Sequence, residues 1–285
     1  PKNARVHKLL GTAYVLFKHE EEAMLEMNRA CELDPNDPEN HFNLGGLYLL
    51  RDMFQNAMHS FEKVISLDPT DITAYANLAA AYDMLKLYDK EIITLKKVLM
   101  FNPEDKELRS ALSNAYFNAE RYEEAIDAAQ CVVEIDDKDP QAYCNLGSCY
   151  SVRNMVDDAI SAFKKASELA PDYSLPHTNL GTLYANMGRP ETAIKEFKMA
   201  VDLNSADAGA WLNLYNCYKD VGLMEDSQMA YRKYEALMNE PVSTAPTEGN
   251  NPSNIPGGVS QTGGYSGGGS MEGNAPGMET LADSE

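Results

Sequence analysis

Tyrosines at positions 14, 48, 82, 116, 150, 184 and 218 recur every 34 residues without one insertion. Other columns keep the same step. Small residues Gly11, Gly45, Ala79, Ser113, Gly147 and Gly181 stand three places before the first six tyrosines, and Ala23, Ala57, Ala125, Ala159 and Ala193 stand nine places after theirs. Prolines 35, 69, 103 and 171 close four of the units. A fixed period of this length is the mark of a solenoid, in which each unit buries its apolar face only against its neighbours.

Within a unit the apolar spacing is helical. Tyr143, Leu146, Gly147 and Tyr150 fall at i, i+3, i+4 and i+7; after a polar turn at Arg153 and Asn154, the run Val156, Ala159, Ile160, Phe163 repeats the rule. Each unit therefore reads as a helical hairpin. Gly147, Ala159 and Ala166 allow close approach, Tyr150 and Phe163 fill the remaining volume, and Pro171, lacking an N–H, stops the second helix.

These columns resemble the tetratricopeptide repeat, with its order of aromatic, Leu-Gly, Tyr, Ala, Phe, Ala and Pro. The resemblance implies an all-α, right-handed superhelical solenoid of seven units, 4–37, 38–71, 72–105, 106–139, 140–173, 174–207 and 208–241. Departures are local: Glu91 enters the small column of unit three, Asp137 and Ser205 replace prolines, and Tyr215, Ser227 and Tyr234 depart from the small-residue pattern in unit seven. That last unit reads as a terminal cap, with Met224, Met229, Tyr231, Tyr234, Leu237 and Met238 turned inward and Arg232, Lys233 and Glu235 facing water. No comparable cap covers the first helix, so Val6, Leu9 and Leu10 are candidates for self-association of the N-terminal end.

Beyond residue 241 the register stops. Residues 242–285 are rich in Gly, Pro and Ser, contain acids but no Lys or Arg, and bury too little apolar surface to offset ordering costs of ~1–2 kcal/mol per residue. They are expected to form a disordered tail. With 44 acids against 24 basic residues, a net charge of −20 disfavours nucleic acid and anionic lipid as partners. No apolar run is long enough to span a membrane, and the N-terminal stretch merges into the first repeat, so a cytoplasmic protein is expected.

Little in the chain suggests chemistry. The five cysteines are an odd number with no CxxC pair. Cys144 and Cys149 lie five residues apart on a helix, roughly 140° around its axis, so their thiols cannot share a metal ion. Their slots hold Phe42, Ala76 or Leu212, and Leu47, Ala81 or Leu183, in other units, which makes them apolar fillers. His7, His41 and His177 share a column with Tyr75, Tyr143 and Trp211 and read as packing residues with a polar tip. HEEEA at 19–23 lacks the second histidine of a zinc-protease helix, and no GxGxxG, P-loop or GxSxG is present. No cofactor and no enzymatic activity are expected.

The asparagines differ. Asn43, Asn77, Asn145, Asn179 and Asn213 occupy one slot of the first helix in five units, although Asn is a poor helix former. The resemblance implies that first helices line a concave groove and that this slot looks at the ligand. The Asn-Leu-Gly form is most similar to the superhelical repeats of O-GlcNAc transferase and kinesin light chains, where an asparagine ladder holds a peptide backbone. One amide can grip both a C=O and an N–H. Asn114 and Asn216, one turn onward, add contacts in two units. Among the slots assigned to the groove only Lys8, Asp83, Lys219 and Asp220 are charged. Phe42, Leu50, Phe117 and Leu212 stand among Asn, Ser and Thr, a lining suited to an extended, weakly charged protein segment. The carboxylate clamp of heat-shock co-chaperones is not matched, since Thr12, Thr73 and Asn77 stand where its other groups belong.

Overall fold

The computed structural model describes residues 3–239, and the expected disordered tail lies outside them. All regular structure among the described residues is helical. Seven hairpins follow in order: α1 (Ala4–Leu16) with α2 (Glu20–Leu33), α3 (Pro38–Leu50) with α4 (Phe54–Leu67), α5 (Ile72–Met84) with α6 (Tyr88–Leu99), and α7 (Lys106–Asn118) with α8 (Tyr122–Ile135). The remaining pairs are α9 (Pro140–Val152) with α10 (Val156–Leu169), α11 (Leu175–Asn186) with α12 (Pro190–Leu203), and α13 (Ala208–Asp220) with α14 (Met224–Asn239).

Local chemistry sets the ends of these helices. An acid column, Asp37, Asp71, Asp105, Asp139 and Asp207, stands one place before α3, α5, α7, α9 and α13, and each carboxylate accepts a backbone N–H from the first turn. Asn3 does the same for α1. Inside each hairpin the first helix ends in a left-handed residue: Lys18, Asp52, Lys86, Glu120, Asn154, Gly188 and Gly222, with φ from 55° to 79°. The next residue donates its N–H back to the tyrosine of the 34-residue column, as His19 does to Tyr14 at 2.9 Å and Met155 to Tyr150 at 2.9 Å. This is a Schellman closure repeated seven times, with glycine supplying it in only two units.

The two helices of a hairpin meet along a seam of matched volumes. A Cβ placed on Gly147 would lie 2.7 Å from the ring of Phe163, one on Gly181 2.7 Å from Phe197, and one on Gly45 2.9 Å from Phe61. Where the first partner is larger the second shrinks: Ala79 faces the slot of Leu95, and Ser113 that of Ala129. Ser113 uses the spare room to donate its hydroxyl to the Ala125 carbonyl at 2.9 Å. Unit seven abandons the rule, and Tyr215 packs beside Tyr231 with ring centroids 5.1 Å apart.

Between hairpins the tyrosine column reaches the second helix of the preceding unit. Tyr82 donates its hydroxyl to Glu62 at 3.0 Å, and Tyr150 accepts from Gln130 at 2.8 Å. Basic groups lie over several of these rings, including Arg121 over Tyr116 and Arg189 over Tyr184. The leucine column is equally buried, with Leu44, Leu78, Leu112, Leu146, Leu180 and Leu214 between 2 and 8% exposed.

The two ends differ. Leu10 belongs to that leucine column yet is 41% exposed, because no hairpin precedes α1 among the described residues. At the other end, of the residues expected to turn inward, Tyr231 packs its ring against Tyr215 of α13 while staying partly open, whereas Met224, Met229 and Met238 leave more than half of their surface exposed. Tyr234 and Leu237 are half-buried, and only Ser227 and Ala230 are fully buried on α14. The reason is positional: the Met229 slot, held by Ile93, Asp127, Ser161 and Lys195 in earlier units, is exposed there too although a hairpin follows each, and the face toward the place of a following hairpin is set by other slots. Gln228 and Glu235, standing where unit six has Ile194 and Val201, make that face partly polar, and Arg232 and Lys233 are exposed as expected.

Candidate functional site

Odd-numbered helices touch their counterparts in neighbouring units, α1 with α3, α3 with α5, α7 with α9, α9 with α11 and α11 with α13, while no comparable contact joins even-numbered helices. The stack therefore closes up on the odd side, and that row forms the inner surface. The asparagine column lies on these helices.

Its members are not equivalent. Asn43 and Asn213 are half-buried, and neither side chain makes a hydrogen bond to another described residue. Asn145 is engaged: its Oδ1 accepts from Gln141 Nε2 at 2.8 Å, and its Nδ2 makes a long 3.4 Å contact to Asn114 Oδ1 across the unit boundary. Gln141 in turn accepts from the Tyr173 hydroxyl. Asn179 directs Nδ2 at the Cys144 sulfur, 3.5 Å away, a weak acceptor. Asn77 is only 6% exposed and its Nδ2 is buried without a partner. Asn216 is exposed. The structure thus couples Asn114 to Asn145 and leaves Asn43 and Asn213 without internal partners.

The apolar residues also separate. Phe42 and Phe117 are half-buried, packed edge-to-face on Phe61 and Tyr122 at 5.7 and 5.6 Å. Leu16, Leu50 and Met84, one column across units one to three, are 62, 64 and 55% exposed and form an apolar rail. From unit four onward the same slot holds Asn118, Val152, Asn186 and Asp220.

Charge is sparse on the inner row, and its first cation is engaged. Lys8 binds Asp37 at 3.2 Å and Glu39 at 2.5 Å, so it is not a free clamp for an acidic tail. Burial pushes the thiols of Cys144 and Cys149 up to about 12, which keeps them neutral at physiological pH and unlike metal-binding or nucleophilic cysteines. Among the described residues no group of three or more His, Cys, Asp or Glu is placed to hold a metal ion, and no helix is long and apolar enough to cross a membrane. His7 and His177 are buried and pair through Nδ1 with Glu26 at 2.5 Å and Glu196 at 2.8 Å. Other units put Ser60, Thr94, Ala128, Ala162 or Ala230 in the glutamate slot, so histidine and glutamate arrive together in units one and six. His41 instead meets the Pro35 carbonyl at 2.9 Å.

Repeat architecture, small-residue seam and groove together define a helical-repeat interaction scaffold. Family profiles of the tetratricopeptide repeat match residues 4–37 and 38–71, 60–92 and 162–195, and 140–173, together about half the sequence. The chain belongs to the tetratricopeptide repeat family. Among solved structures it is similar to a tetratricopeptide repeat protein from Parabacteroides merdae ATCC 43184, with a TM-score of 0.71 and 18% identity over 83% of this chain and 94% of that one. It is also similar to YrrB, described as a tetratricopeptide protein with an unusual peptide-binding site, with a TM-score of 0.52 and 24% identity over 65% of this chain and 95% of that one. A double mutant of MamA RS-1 gives a TM-score of 0.55 and 25% identity over 58% and 93%. No curated protein sequence matches.

Proposed function

We propose that this protein is a non-catalytic scaffold that holds an extended, weakly charged segment of another protein along its odd-numbered helices. Asn43, Asn77, Asn145, Asn179 and Asn213, helped by Asn114 and Asn216, grip the segment's backbone, and Leu16, Leu50 and Met84 receive its apolar side chains. The observation that carries the reading is the half-buried Asn43 and Asn213, whose amides make no internal hydrogen bond. Partly open to solvent, these two amides can trade water for a peptide C=O and N–H, and the same column tolerates a buried Asn77 Nδ2 without a partner, which costs stability. Asn145 joins by exchanging its long contact to Asn114 for one to the ligand.

The test is affinity capture from a cell extract, followed by titration of the captured segment with wild type and with Asn145→Ala combined with Asn179→Ala. Binding should weaken while the melting temperature stays nearly constant. Methylating the backbone nitrogens of the segment should weaken binding similarly. Equal binding by the double variant overturns the ladder.

A second reading has its own support. Leu10 is exposed where its six counterparts are buried, and Leu9 is exposed beside it. The N-terminal hairpin then docks on a second copy, giving a concentration-dependent mass in light scattering that Leu10→Asp removes. A constant monomer mass would dispose of it.

A further inference from the structure

Unit three breaks the pattern at two neighbouring slots. In unit two the end of the first helix and the start of the second carry Leu49, Phe54 and Ala57; in unit four the same slots carry Phe117, Tyr122 and Ala125. The Phe117 and Tyr122 rings touch, so these slots are adjacent in space. Unit three places Asp83, Tyr88 and Glu91 there. An apolar rim has become a pair of acids separated by a tyrosine.

Neither carboxylate is compensated by a cation among the described residues. Glu91 is 1% exposed and its Oε2 is buried with no hydrogen-bond partner. Asp83 is half-buried on the inner row beside the exposed Met84, and its carboxylate makes no ion pair or hydrogen bond with a described residue. Burial raises Asp83; burial and then the charge of Asp83 raise Glu91; and Tyr88 is raised by its own burial and by both acids, so the three groups share one field. The nearby cations are committed or turned away: the Lys90 ammonium lies over the Tyr82 ring at 5.6 Å, and Lys86 is exposed in the turn. A buried oxygen without a partner behind a half-open carboxylate is an incomplete site.

We infer that Asp83 and Glu91 form a subsite for one cationic side chain, an arginine or lysine, carried by the segment held in the groove. The inference rests on the groove reading above and refines it: the segment is uncharged along most of its length and basic at unit three. Arginine fits best, because its planar fork offers paired donors to the half-open Asp83 carboxylate while its charge offsets the enclosed Glu91 carboxyl nearby. A divalent metal fits poorly, since two carboxylates are too few oxygens for calcium.

The experiment uses the full chain, isotopically labelled, and two short capped peptides, Ala-Ala-Arg-Ala-Ala and the same sequence with neutral citrulline for arginine. Backbone resonances of 83–91 and the side-chain amides of Asn77 and Asn43, on the same and the adjoining inner helix, are followed by NMR. The arginine peptide is expected to shift residues 83–91 and to bind about tenfold more tightly than the citrulline peptide. Glu91→Ala, which restores the residue five other units carry in this slot, and Asp83→Asn should both remove that preference. Equal binding of the two peptides, a preference that survives in both variants, or a response of residues 83–91 to calcium but not to arginine would each overturn the subsite. If the asparagine amides respond to both peptides without an arginine preference, the subsite fails and the groove stands. If arginine acts at 83–91 while the amides stay silent, the subsite stands and the ladder fails.

Discussion

Replacing Glu91 by alanine should stabilise this protein, increasingly so as the pH rises from acid to neutral. Glu91 lies inside the hairpin of α5 and α6, and burial, reinforced by the charge of Asp83, raises its carboxyl from 4.5 to about 8. A folded-state value above the unfolded one means the native chain holds a proton that the unfolded chain has released. Below pH 4.5 both states are protonated and the residue contributes no pH-dependent penalty. Between 4.5 and about 8 only the unfolded state ionises, so stability falls with pH. At pH 7 the accumulated loss is about 3 kcal/mol, taking 1.36 kcal/mol per unit, and above pH 8 it levels off. The assay is urea denaturation of wild type, Glu91→Ala and Glu91→Gln at several pH values between 4.5 and 9. The wild-type curve should fall away from both variants across that window and then run parallel to them. Curves parallel throughout would show that Glu91 does not carry a proton in the folded protein, and the account of its burial would be wrong.

Two further outcomes follow from the hairpin geometry. Gly147→Ala places a Cβ 2.7 Å from the Phe163 ring and should cost about 1–3 kcal/mol by thermal or chemical denaturation, with much of the loss recovered by adding Phe163→Leu, the smaller partner used in unit three. Lys86→Gly, at a residue held at φ 56°, should stabilise by about 0.5–1 kcal/mol in the same assay, and destabilisation there would argue against the left-handed closure of the hairpin.

The period and the seam were legible because both are written in residue volume: Gly147 against Phe163 is the same statement in sequence and in space. The left-handed closure was not, since Lys18, Asp52, Lys86 and Glu120 carry no glycine signal and take that conformation because the returning helix demands it. The acid column before the first helices carried a readable signal, an N-cap aspartate ahead of each apolar run, that periodicity alone does not isolate. At the groove, the asparagine slot was visible, but the partnership of Asn145 with Gln141 and Asn114 depends on side chains from adjoining turns and adjoining units. Glu91 stood out as a misfit in a small column; only packing shows that its carboxylate is enclosed with Asp83 nearby. The Met-rich stretch of α14 misled because apolar content does not tell which slots of the helix face solvent in every unit.

The matched seam constrains how such a chain can be rearranged. Gly45 answers Phe61, Ala79 answers Leu95 and Ser113 answers Ala129, so the two helices of a hairpin form a lock and its own key. A recombination event at the hinge inside a hairpin would join a glycine groove to an alanine ridge, or an alanine groove to a phenylalanine ridge, leaving a hole or a collision. Shuffling at the borders between hairpins keeps each pair intact, so duplication, loss or grafting of units should be tolerated there and rejected at the hinge.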